Sequence, residues 1–180
     1  MNEITPFELL DAIRKEAKAL ASQGLTESNS SSAVKTIAFR VNNVNYYCDA
    51  SDIKEVSVCE NLMTIPQTKS WMRGLVNSKG VLYSVSDVSL FAGYGRPVQT
   101  NKGHLLILND DSQQSALLVS RVIGFRYFDD QQSVIDIDSK QDVLDGLSAF
   151  VETGFYTEEK EWYQLNINKL LESEQFREVQ

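Results

Sequence analysis

Between Val34 and Ile167 the chain runs twice through the same order of short apolar segments and turns, a duplication that points to a β architecture of two like halves. Ile37, Phe39 and Val41 alternate with Ala38 and Arg40, Asn42-Asn43 supplies a turn, and Val44 to Cys48 and Ile53 to Val58 follow as two more short runs. Period-two alternation over so few residues marks half-buried strands, and a polar pair between two of them suits a hairpin. Roughly 70 residues further on, Leu105 to Leu108, the polar turn Asn109 to Gln114, Ala116 to Val119 and Val122 to Phe125 repeat that order. Leu75-Val76, a turn over Asn77 to Gly80 and Ser84 to Val88, within the run Val81 to Val88, are echoed by Ala149 to Val151, a longer acidic loop from Glu152 to Lys160, and Tyr163 to Ile167. With Met63 to Pro66 counted as a further strand, each copy has the strand number of a small barrel.

The expected fold is therefore mostly all-β, with two pseudo-symmetric five-stranded β-barrel subdomains at about 34–92 and 103–172 inside one domain, 34–172. Phe91 to Pro97 holds the turn residues Gly93, Gly95 and Pro97 expected at their junction. Leu170, Leu171 and Phe176 mark a short terminal helix, and 173–180 is read as a tail. Ahead of the domain, Thr5 can cap a helix, Pro6 suits its first position, and Glu8 sits where a capping box needs it. Phe7, Leu10, Ile13, Ala17 and Leu20 then form an apolar stripe at three- and four-residue spacing, predicting an amphipathic helix that Gly24 ends. Ser22 to Ala33 is rich in Ser and polar residues, the composition of a flexible linker, so 1–33 is expected to be an appendage of helix and linker.

Composition narrows the function. A formal net charge of −8 argues against a nucleic-acid partner, which would demand clustered Lys and Arg. No apolar run reaches the length of a membrane span and the N-terminus lacks the pattern of a signal peptide, so a cytoplasmic protein without direct membrane insertion is expected. Cys48 and Cys59 form no CxxC pair, and His104 is the single histidine with no metal-ligand spacing around it. Two reduced thiols, no metal and no cofactor are the expectation. Neither a phosphate-binding glycine loop nor a nucleophile with its base can be assembled, and Asp110-Asp111 and Asp129-Asp130 fall in turns, so the chain is read as non-enzymatic.

The most specific local pattern lies in Trp71 to Phe91. It reads Arg73-Gly74-Leu75-Val76-Asn77-Ser78-Lys79-Gly80, then a strand ending in Asp87-Val88. This order resembles the signature of CheW-like domains, with Ser78, Lys79 and Ser84 standing where that family usually has Leu, Arg and Pro. Lys79 keeps the charge of the usual arginine and loses its planar five-donor fork. The leader, with Thr5-Pro6-Phe7 and Leu9-Leu10 ahead of an amphipathic helix, resembles that of CheW-like adaptors from twitching-motility chemosensory systems.

The resemblance implies a non-catalytic adaptor of two five-stranded subdomains. It would couple the cytoplasmic tip of a methyl-accepting chemoreceptor to the regulatory domain of a CheA-like histidine kinase controlling type IV pili, at membrane-associated receptor arrays. It places receptor contacts at Ile53, Glu55 and Val56, at Gly74 of the Arg-Gly motif, and at Asn77, Lys79 and Gly80 of the turn. Each aliphatic could equally be core, and Glu55 and Lys79 could equally be solvated surface charges. The same fold could instead serve a flagellar or other chemosensory array, and a ligand-binding β-barrel module is the more remote alternative.

Overall fold

The computed structural model describes residues 35–110, 112–128, 133–157 and 160–178. The expected helix over Thr5 to Leu20 and its linker lie outside the described residues. Eleven strands are present among those described: β1 (Lys35–Val41), β2 (Val44–Asp49), β3 (Ile53–Val58), β4 (Met72–Ser78), β5 (Val81–Asp87), β6 (His104–Leu108), β7 (Ser115–Val119), β8 (Arg121–Tyr127), β9 (Ser133–Val134), β10 (Val151–Thr157) and β11 (Lys160–Leu165). They form two sheets, one ordered β8-β1-β2-β11-β10-β9 and the other β3-β6-β7-β5-β4. The two-residue β9 only extends the edge of the first, so each sheet has five principal strands, as the duplication predicts.

Both sheets have the same plan. An antiparallel hairpin, β1-β2 or β6-β7, sits at one side, and its second strand accepts a parallel neighbour, β11 or β5. That neighbour pairs in turn with the strand preceding it, β10 or β4. The sheets do not follow the expected chain segments 34–92 and 103–172, however. β1 and β2 share a sheet with β8, β10 and β11, while β3, β4 and β5 join β6 and β7. The reason lies at β2, whose two edges are both occupied, by β1 and by β11. The one-turn 3-10 helix Ala50–Asp52 therefore sends the chain to the other sheet, where β3 pairs with β6. Each copy of the repeat thus lends its first hairpin to the strands of the other.

Burial follows this exchange. Ile37, Phe39, Val41, Tyr46 and Cys48 of the six-stranded sheet share one core with Ile53, Leu106, Leu108, Leu117 and Val119 of the five-stranded sheet. Leu105, Ile107, Ala116 and Leu118 point the other way, into a second core with Val76, Tyr83 and Val85. β6 and β7 are buried on both faces, hence their nearly unbroken apolar sequences. Cys48 and Cys59 are free and buried, and burial pushes the Cys48 thiol far above its ordinary range.

Two local expectations are corrected. Met63 to Pro66 is not a strand: only Met63 pairs, by two 2.8 Å bonds with Leu75, and Pro66 has no N–H to extend the ladder. The expected loop Glu152 to Lys160 is mostly β10, which pairs with β11 to the end, Thr157 opposite Lys160. Its alternation was hidden by Gly154 and by a register shift between Val151 and Gly154. The expected terminal helix is found as two short ones, Ile167–Glu172 and Glu174–Arg177, with Leu170, Leu171 and Phe176 buried. Phe176 stacks on Trp71 at 5.5 Å and seats the C-terminal turn against the start of β4.

Candidate functional site

The candidate residues sit on β3 and on the β4–β5 hairpin, at opposite edges of the five-stranded sheet. Ser78 pairs with Val81, so the hairpin closes through the two-residue loop Lys79-Gly80. Both loop residues have positive φ, 51° and 86°, the combination that suits the right-handed twist of the strands it joins. Gly80 tolerates this without a Cβ, and Lys79 shares it. Asn77 fixes the loop, its Oδ1 accepting the Gly80 N–H at 2.9 Å.

From this tip Lys79 extends to β3, where its Nζ lies 2.7 Å from Glu55 Oε2. The pair spans the two edges of the sheet. Both charges remain accessible, with 78% of the Lys79 side chain and 30% of the Glu55 side chain exposed, so the bond contributes at most about 1 kcal/mol to stability. It leaves a paired but solvent-facing carboxylate and ammonium at a defined separation, a polar feature a partner can read. Next to Glu55, Val56 is 40% exposed, and Val58, two residues on, 56%.

Not every candidate lies at this surface. Ile53 is buried in the shared core opposite Leu108. Gly74 is buried too, with φ of 136°, and a Cβ there would fall inside the backbone of Met63 and Thr64. Gly74 is therefore what lets residue 63 pair with Leu75. Arg73 beside it turns inward to Asp87, which caps the helical turn Val88–Phe91 by accepting from Ser89 and Leu90 N–H. Glu55, Asn77, Lys79 and Gly80 are thus brought together at the surface, Val56 is exposed at the next position of β3, and Ile53 and Gly74 are buried.

Exposed apolar residues near these elements were missed by the sequence reading: Val58, Met63, Ile65, Val81 and Leu82. Val58 repeats the outward spacing of Val56 and was findable from that alternation. The strand expected over Met63 to Pro66 conceals Met63 and Ile65, of which only Met63 pairs. Among the described residues there is no group of three or more His, Cys, Asp or Glu able to hold a metal, and no helix long and apolar enough to cross a membrane. One open cleft of about 270 Å³ lies away from these residues, its lining including Asn42, Ser89, Arg96, Val98, Lys102 and Ser120.

Two exchanged sheets, an exposed apolar edge and a charged turn define a docking scaffold of the duplicated β class. A family model for the CheW-like domain matches residues 35–175, and the chain belongs to that family of chemosensory scaffold proteins. It is similar to Protein PilI of Pseudomonas aeruginosa, with 22% identity over 178 residues that cover 97% of this chain and 96% of that one. The crystal structure of scaffolding protein TtCheW from Thermoanaerobacter tengcongensis shares the fold. Its TM-score is 0.67 at 22% identity, over 83% of this chain and 94% of that one.

Proposed function

We propose that this chain is the adaptor that couples a methyl-accepting chemoreceptor to a CheA-like histidine kinase in the chemosensory pathway controlling type IV pili. It works in the cytoplasm at receptor arrays and catalyses nothing. The receptor tip meets the surface formed by Glu55, Val56, Asn77, Lys79 and Gly80, with Ile53 and Gly74 holding that surface in shape. The observation that carries this reading is the Lys79–Glu55 bridge from hairpin tip to edge strand, with Val56 exposed beside it. Fixed charges flanking an apolar strip set orientation and on-rate, while the strip supplies contact area. The similarity to PilI along nearly the whole of both chains favours the pilus pathway over other arrays.

Deleting the gene and scoring pilus-driven surface spreading against swimming tests the assignment. Lost spreading with intact swimming is expected; the opposite outcome assigns the chain to a flagellar array.

A further inference from the structure

The duplication gives the candidate docking edge a geometric twin. β3 is the outer strand beside β6 in one sheet, and β8 is the outer strand beside β1 in the other. Both carry one bulged residue at the same step. Lys54 lies between the Ile53–Leu108 and Glu55–Ile107 pairs, and Ile123 lies between Val122–Phe39 and Gly124–Ala38. Counted from the bulge, Glu55 corresponds to Gly124, Val56 to Phe125 and Val58 to Tyr127. The outward positions match as well: Phe125 is 59% exposed and Tyr127 64%.

Geometry is kept and chemistry is changed. Two valines become two aromatic rings, the residue type that anchors protein interfaces. The acid of the first edge is replaced by Gly124, whose φ is 125° and whose missing side chain would meet nothing within 4 Å. Cations gather instead: Arg121 and Arg126 are exposed on β8, and Lys35 Nζ lies 3.9 Å from the Phe125 ring centroid. On a chain of net charge −8 this edge is locally basic. A second copy pairing edge to edge would set these cations against their own kind, which disfavours self-association here. An acidic segment would be attracted to the cations while laying its apolar residues on the rings.

We propose that the β8 edge, anchored by Phe125 and Tyr127, is a second docking edge that takes an acidic segment of a different protein from the one held at β3. This rests on the adaptor reading, under which that protein is the histidine kinase. An adaptor must hold two partners at once, and the exchanged repeat supplies two edges of one geometry with different side chains, valines beside the Glu55–Lys79 pair on one and aromatic rings among cations on the other.

The test titrates the full-length chain with the purified kinase regulatory domain and, separately, with a purified receptor signalling tip. Phe125→Ser combined with Tyr127→Ser is expected to weaken kinase binding at least about tenfold, with receptor affinity and Tm unchanged. Arg126→Glu is expected to weaken the same binding and to flatten its dependence on salt. Kinase affinity unchanged in both variants, loss confined to the receptor, or equal loss of both affinities overturns the second edge. If the unaltered chain binds neither protein, the adaptor reading falls and the inference with it.

Discussion

Arg73 Nη1 stands 2.7 Å from Oδ2 of Asp87, a carboxylate with no exposure to solvent, across the root of the β4–β5 hairpin. The same carboxylate accepts the N–H groups of Ser89 at 3.0 Å, Leu90 at 3.3 Å and Val98 at 2.9 Å. Arg73 also donates to the Val98 carbonyl at 3.2 Å. Hairpin, helical turn and the segment leading to β6 are thereby tied at one buried charge. Such a charge is tolerable only while every partner is present.

Removing the guanidinium should therefore cost more than a surface pair would. Arg73→Ala is expected to destabilise the fold by roughly 3 kcal/mol and to lower Tm by several degrees. Thermal unfolding followed by circular dichroism checks it; a Tm within a degree of the parent's would show that Asp87 is held without Arg73.

This pair also shows what was legible in the sequence. Arg73-Gly74 and Asp87 stand out as a motif, and the order of strands is readable because alternation and turn residues are local signals. Their purpose is not local: Gly74 is required by Met63, and Asp87 by an arginine and three backbone amides. The exchange of strands between the copies was hidden for the same reason. Nothing in Val44 to Val58 records that β11 occupies the free edge of β2. In the candidate site, the sequence pattern singles out Glu55 and Lys79 separately, but their direct bond requires the folded sheet to bring its edges together. Ile53 and Gly74 are expected as contact residues from their places in the strand and the Arg-Gly motif, and the folded chain buries both.

Gly74 and Gly80 both have positive φ and should nevertheless respond differently to alanine. At Gly74 the added methyl collides with the backbone of residue 63; at Gly80 nothing lies within 4 Å. Gly80→Ala is expected to cost about 1 kcal/mol, from the backbone conformation alone. Gly74→Ala should cost on the order of 3 kcal/mol or more, because the chain at Met63 must also move. Urea unfolding of the two variants measures the difference, and equal midpoints would contradict it.

Glu161 offers a pH-dependent contribution. Hydrogen bonds from Lys140, Tyr163 and Tyr156 hold its carboxyl below the usual glutamate range. A carboxyl with a depressed pKa in the folded state stabilises the fold above its unfolded pKa, and that contribution disappears as pH falls through the folded value. Glu161→Gln should therefore be less stable than the parent by about 1 kcal/mol at pH 7. The gap should close below about pH 4. Stability curves of both proteins against pH provide the check, and a gap that stays constant with pH would assign the loss to packing.

The Glu55–Lys79 bridge separates two ways in which a charged pair can serve docking. It can hold the hairpin tip against β3, or it can present its charges to the partner. With Lys79 mostly exposed and Glu55 partly so, the pair contributes little to folding, and Glu55→Lys and Lys79→Glu should each change stability by no more than about 1 kcal/mol. Under the adaptor reading each should still lower receptor affinity about tenfold, since a like-charge pair drives the tip from the strand and alters what the receptor meets. The double exchange, Glu55→Lys with Lys79→Glu, restores a bridge of the same span with its polarity reversed. Because both side chains face solvent beside Val56, the charges themselves are expected to be read, and affinity should stay low in the double variant. Recovery to the parent's affinity would instead show that the receptor needs only the clamped hairpin, whichever end carries the positive charge.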